Sequence, residues 1–202
     1  MSARRVGKSA LFAPLLVLAM SCSSPPENRA ESGPLEFYMG AGGSAINAQD
    51  TPTWWGTVGL PLCSTEPVTI ERVEVVWSGG ILAQEEWLYA SPRGSREDGT
   101  HRRFGAGPGK PPTIHGMDDM DEWVEPAQGT RVEALPCDVD ERAGRFADLL
   151  VAGRTDDRGA KVERVSILYT TGDGQSHSAS TSRWQITLCG TEMLQDPDDG
   201  CS

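Results

Sequence analysis

The chain has 202 residues, a formal charge of −11, 23 glycines, 14 prolines and five cysteines. So acidic a surface repels phosphate backbones and anionic headgroups, which argues against nucleic acid as a partner and against membrane attachment through a basic patch. The apolar run Leu11–Met20 is only ten residues long, short of the roughly 18 that cross a bilayer as a helix, and this argues against a permanent transmembrane span.

From the amino end, Met1–Ala10 carries Arg4, Arg5 and Lys8 with no acidic residue and leads into that apolar run, the layout of a secretory signal. Arg4-Arg5 raises twin-arginine export as a second route, although Val6-Gly7-Lys8 lacks the apolar continuation of such signals. The run closes on Leu18-Ala19-Met20-Ser21-Cys22, which resembles the lipobox of bacterial lipoproteins. Ala19 and Met20 differ from that family's commoner residues, and a cysteine standing by chance after a signal is the alternative. The resemblance implies a diacylglyceryl thioether on Cys22 and cleavage just before it. It places the protein on the outer face of the cell membrane, or on an outer membrane where there is one. Several acyl chains on one cysteine anchor stably, because each buried methylene contributes about 0.8 kcal/mol. Losing residues 1–21 removes three positive charges and takes the formal charge from −11 to −14.

Residues 22–34 then form a lipidated flexible tether, polar and rich in Ser and Pro. A single domain is expected over 35–190, and 191–202 reads as a tail. With Cys22 occupied by lipid, Cys63, Cys137, Cys189 and Cys201 remain. Four cysteines in an oxidising compartment allow two disulfides in three connectivities. Cys63 with Cys137 and Cys189 with Cys201 is favoured, the second because it pins the tail. No pair has the Cys-x-x-Cys spacing of a zinc or redox site.

Within the domain the periodicity is two, the period of strands. Strand segments are expected at Leu35–Met39, Val58–Leu62, Ile70–Trp77, Ile81–Tyr89, Thr130–Leu135, Ala147–Ala152, Val162–Tyr169 and Trp184–Leu188. Thr171-Gly-Asp-Gly-Gln175 reads as a tight hairpin between the last two, its glycines supplying positive φ. Ile70-Glu-Arg-Val-Glu-Val-Val-Trp77 matches Val162-Glu-Arg-Val-Ser-Ile-Leu-Tyr169 in pattern, and each follows an apolar strand across a polar turn. Either a strand-turn-strand unit is repeated, or two strands meet the same demands independently. One helical turn is allowed within Asp140–Ala147. The fold class is all-β, an antiparallel, immunoglobulin-like sandwich of seven or eight strands. The Gly- and Pro-rich stretch Ser91–Gly129 is expected to be a long loop, and a loop of that length is the first place to seek a site.

The richest cluster there is His115-Gly-Met-Asp-Asp-Met-Asp-Glu-Trp123. His115, Met117 and Met120 offer the imidazole and thioether ligands that suit copper. Asp118, Asp119, Asp121 and Glu122 offer oxygens for calcium, and an acidic solvated loop is the plain alternative. Asp138-Val-Asp140 opens like an EF-hand, but Ala143 stands where its glycine is required. Ser176-His177-Ser178 alternates along a strand, which separates the hydroxyls from the imidazole, so His177 reads as an exposed strand residue. Gly105-Ala-Gly-Pro-Gly109 has a proline where a phosphate-binding helix begins. Trp77, Trp87 and Trp184 are expected in the core. Trp54 and Trp55 cannot both point inward if extended; the outward one either stacks on a sugar or packs against a partner, or, in the plain alternative, lies under the loop or an edge. The functional expectation is a lipid-anchored binding or scaffolding module, not an enzyme and without a cofactor, acting on an envelope protein or glycan. Metal handling and an unrecognised hydrolase are the alternatives.

Overall fold

The computed structural model describes residues 33–38, 42–47, 51–91, 104–115, 124–138, 140–142, 145–195 and 201. Among them are thirteen strands and no α-helix. In chain order they are β1 (Leu35–Phe37), β2 (Gly42–Asn47), β3 (Trp54–Ser64), β4 (Val68–Gly79), β5 (Ala83–Ala90), β6 (Ala106–Lys110) and β7 (Thr113–Ile114). There follow β8 (Val124–Pro126), β9 (Arg131–Val132), β10 (Ala147–Thr155), β11 (Ala160–Thr171), β12 (Ser176–Thr181) and β13 (Trp184–Cys189). One sheet runs β7-β6-β3-β10-β5-β8, with β1 added to β3; the other runs β2-β13-β11-β4-β9, with β12 added to β11. All pairings are antiparallel except β2 with β13. The two sheets pack face to face as an all-β sandwich, with more strands than the seven or eight expected.

Alternation decides what fills the space between the sheets. From one sheet come Val58, Leu60, Leu62, Leu88, Leu149 and Val151; from the other come Ile70, Val165, Ile167, Tyr169, Ile186 and Leu188, all buried. Truncating one such leucine to alanine typically costs about 2–5 kcal/mol. Alternation breaks once in each long strand of the second sheet, at Glu71 in β4 and at Glu163 in β11. Each glutamate is the residue left out of the β4–β11 ladder, which steps from Tyr169↔Ile70 to Leu168↔Arg72 and from Val162↔Trp77 to Arg164↔Val76. A bulge of one residue restores the phase. Ile70 faces inward before it and Val73 after it, just as Val162 and Val165 do.

The two bulges are related. Glu163 lies 92 residues after Glu71, and the pair Glu74↔Ser166 is separated by the same 92. Shifting every member by 92 carries Tyr169↔Ile70 onto Val162↔Trp77, and Ile167↔Val73 onto Val165↔Val75. In the other sheet a shift of 91, centred on Leu150↔Gly59, carries Val151↔Val58 onto Leu149↔Leu60. The missing residue lies in the connections, which span 65–67 in one unit and 156–159 in the other. The two bulges are thus placed symmetrically about Glu74↔Ser166 in the β4–β11 ladder.

The hairpin at Thr171–Gln175 is present, but its returning strand is β12, which pairs with Val165–Thr170. After a break at 182–183, β13 pairs with Ala160–Val162. The return is thus one interrupted strand, and Trp184–Leu188 is its second half. Of the two turn glycines, Gly174 takes positive φ at 82°. The turn allowed at Asp140–Ala147 is a single 3-10 turn, Asp140–Arg142, and Ala147 already begins β10.

Both favoured disulfides are formed. Cys63–Cys137 joins β3 to the segment after β9. Cys189–Cys201 holds the chain's end beside β13, where Met193 completes a small buried cluster.

Candidate binding surface on the seven-stranded sheet

The strand residues that alternate with the core face outward from the seven-stranded sheet, and this outer face has two halves. At one end Leu150 and Tyr89 are buried beneath Phe104, Ile114 and Phe146, with Trp87 and Val124 at the margin. Phe104 reaches this position because Gly59 has no side chain: a β-carbon there would meet the Phe104 carbonyl oxygen at 2.4 Å. The same contact brings the Gly59 N–H to the Gly105 carbonyl at 2.8 Å. Described parts of the Ser91–Gly129 stretch are therefore strands and a lid over the sheet, not the sparse loop expected. Asp148 lies beneath this cover, fully buried and opposite Tyr89 in the ladder. Burial, aided by the Asp148 charge, raises the Tyr89 phenol.

Trp55 stands at the other end, outside this cluster among the described residues. Trp54 points into the core at 5% exposure. Its neighbour is half-buried on the opposite face, as strand alternation requires. Lys110 holds its ammonium 4.8 Å from the Trp55 ring centroid, a favourable cation–π placement. The same ammonium pairs with Glu85 Oε1 at 2.5 Å. Arg154, opposite Trp55 in the ladder, donates to the Thr53 hydroxyl at 2.8 Å. Lys110 is brought here by β6, whose turn around Gly109 (φ 105°) is tied by the Thr57 hydroxyl to the Gly109 carbonyl at 2.8 Å. The result is one indole fixed on a strand, flanked by cationic and anionic hydrogen-bonding groups.

The other residues singled out from the sequence fall elsewhere. Cys22, Met117, Asp118, Asp119, Met120, Asp121 and Glu122 lie outside the described residues. His115 is exposed at the end of β7, its N–H bonded to the Pro108 carbonyl. Glu86, not singled out from the sequence, faces away from its neighbour Glu85: it accepts from Gln84, which in turn accepts from the Trp77 indole, at 2.9 and 2.8 Å. Burial raises the Glu86 carboxyl, and its neighbour Glu85 adds to the rise. His177 is not an exposed strand residue: it is half-buried and its ring stacks on Tyr169, with centroids 5.6 Å apart. Gly105–Gly109 falls largely in β6, not in a phosphate-binding turn. Trp77, Trp87 and Trp184 are half-buried; Trp77 and Trp184 pack on the main core and Trp87 on the outer cluster.

Glu36, Cys63 and Cys137 bring ligand atoms within 4.8 Å of one another. The two sulfurs are consumed by their own bond, so this trio has no metal-binding thiolate. Among the described residues no helix is long and apolar enough to cross a membrane. Two disulfides are compatible with an extracytoplasmic protein. No protein-family model matches the chain, and no curated protein matches it significantly.

Proposed function

We propose that this protein is a lipid-anchored, non-enzymatic binding or scaffolding module of the cell envelope. Cys22 carries the lipid, residues 23–34 are the tether, and the Trp55 surface is the part presented to an envelope glycan or protein. The observation that carries the reading is the half-buried Trp55 outside the described cluster on this sheet face, framed by Lys110, Glu85 and Arg154. An aromatic ring held by strand backbone loses little entropy when a ligand packs on it, and the flanking charges supply directional hydrogen bonds. The signal and lipobox resemblance support the location, and the disulfides agree with it.

The test is recovery of an envelope component by immobilised protein from detergent extracts, with Trp55→Ala alongside. Wild-type protein should retain a component that Trp55→Ala does not. Equal recovery by both, or none by either, counts against the reading.

A further inference from the structure

Arg72 and Arg164 correspond in the matched segments, each placed just after its bulge in the β4–β11 ladder. Each lines a groove at the side of the sandwich, but the two surroundings differ. Arg72 shares its groove with Glu85 and Glu86, and its guanidinium is paired with Glu74 at 2.7 Å. At the position matching Glu74 the second segment has Ser166, so Arg164 lacks this partner. Among the described residues, neither Arg164 nor Arg183 forms an ion pair.

Arg164 and Arg183 line the same groove, of about 480 Å³, within the roughly 300–1,000 Å³ of small-molecule sites. Leu35, Phe37 and Ala179 give it apolar walls, and Ser180, Thr181 and Ser182 line it with hydroxyls. Ser182 stands at the break between β12 and β13, one step past the Val165↔Thr181 pair and hence beside Arg164. Among the described lining residues Glu36 is the one acid. Its carboxylate lies within 4.8 Å of the Cys63 and Cys137 sulfurs, on the face of β1 opposite to Leu35 and Phe37. Two arginines thus line the groove in a chain whose formal charge is −11.

We infer that this groove is a second binding site, separate from the Trp55 surface, for an acidic sugar. The anionic group pairs with Arg164 and Arg183, since guanidinium forks match carboxylate and phosphate oxygens. The sugar hydroxyls meet the Ser180–Ser182 run, and the apolar ring face lies on Phe37. The difference between the matched segments carries the assignment: the carboxylate that neutralises Arg72 is replaced by Ser166 beside Arg164.

The test is titration calorimetry of the full chain in detergent with glucuronate, glucose 6-phosphate, inorganic phosphate and glucose. At least one acidic sugar should bind tenfold or more tighter than inorganic phosphate, and glucose should not bind. Arg164→Gln and Arg183→Gln should each weaken that binding at least tenfold. Ser166→Glu, which installs the partner that Arg72 has, should weaken it several-fold while leaving the thermal midpoint unchanged. Arg72→Gln should have no effect. No binding of either acidic sugar, equal binding of phosphate or glucose, or equal losses in Arg72→Gln and Arg164→Gln would overturn the inference. None of these outcomes bears on the Trp55 surface, which is read separately through Trp55→Ala.

Discussion

Glu71 and Glu163 hold the same place in two matched strands: each is the one residue without a partner in the β4–β11 ladder, and they lie 92 positions apart. Their function is to change the phase of the strand, not to present a carboxylate. Deleting Glu163 should therefore turn one half of β11 inside out, exposing either Ala160 and Val162 or Val165, Ile167 and Tyr169. Glu163→Ala keeps the extra residue and should shift stability by no more than about 0.5 kcal/mol. Urea unfolding of both variants checks this. A folded deletion variant with wild-type stability would contradict the role given to the bulge.

The two disulfides should differ in weight. Cys63 and Cys137 are 74 positions apart, and Cys189 and Cys201 are 12 apart. Loop-closure entropy gives about 4 kcal/mol for the first and about 3 kcal/mol for the second. Paired Cys→Ser replacements, compared by urea midpoint, should show the larger loss for Cys63 and Cys137. The reverse order would mean that strain or local packing outweighs chain entropy.

Glu86 should make the fold less stable as pH rises. Burial is the main cause of its raised carboxyl, Gln84 partly opposes it, and Glu85 reinforces it. The folded state thus holds this proton more tightly than the unfolded chain. Stability falls as pH climbs from the ordinary value of 4.5 through the raised one, and the loss persists at neutral pH. Glu86→Gln should be more stable than wild type at pH 7 and flatter across that window. Parallel pH profiles for the two proteins would contradict this.

Asp173 has the opposite sign. The Thr171 hydroxyl and the Gln175 N–H both donate to it, holding its carboxyl below the ordinary 3.8. Its contribution is present above that value and is lost as pH falls through the lowered one. Asp173→Ala should therefore be less stable than wild type at pH 7, with the gap closing in strong acid. A gap that stays constant into acid would show that the effect is not electrostatic.

The strands at the centre of both sheets were legible because apolar residues alternate, as in Val165, Ile167 and Tyr169, or run together where both faces are covered, as in Leu149, Leu150 and Val151. The Glu-Arg doublets at 71–72 and 163–164 recur in the two matched segments, but only the register shows that a bulge sits at each. Strands without alternating apolar side chains were not legible. Gly42–Asn47 is held by β13 and Ala106–Lys110 by β3. In these, partner backbone supplies what the side chains do not signal. The Trp54–Trp55 alternation was readable from strand geometry, yet the lysine over Trp55 comes from 55 positions away. The Arg164–Arg183 groove was not found at all, because nothing local links residues on two strands with the break between them.

Trp54 and Trp55 should separate stability from binding. Trp54 is buried at 5% exposure, so Trp54→Ala should cost about 3–5 kcal/mol. Trp55→Ala should cost far less and remove the retained envelope component. Thermal unfolding alongside the retention assay distinguishes the two. Loss of retention by both variants at temperatures where both are folded would contradict the assignment of the face.

Everything proposed for the Trp55 surface presupposes delivery to the envelope, and that depends on one sulfur. Cells producing wild-type protein and Cys22→Ser should be fractionated, and the mature amino end examined by mass spectrometry. The wild-type chain is expected in the membrane fraction, beginning at an acylated Cys22, with the Cys22→Ser chain released from it. A Cys22→Ser protein that still sediments with membranes, or a wild-type chain without lipid on Cys22, would contradict the anchor.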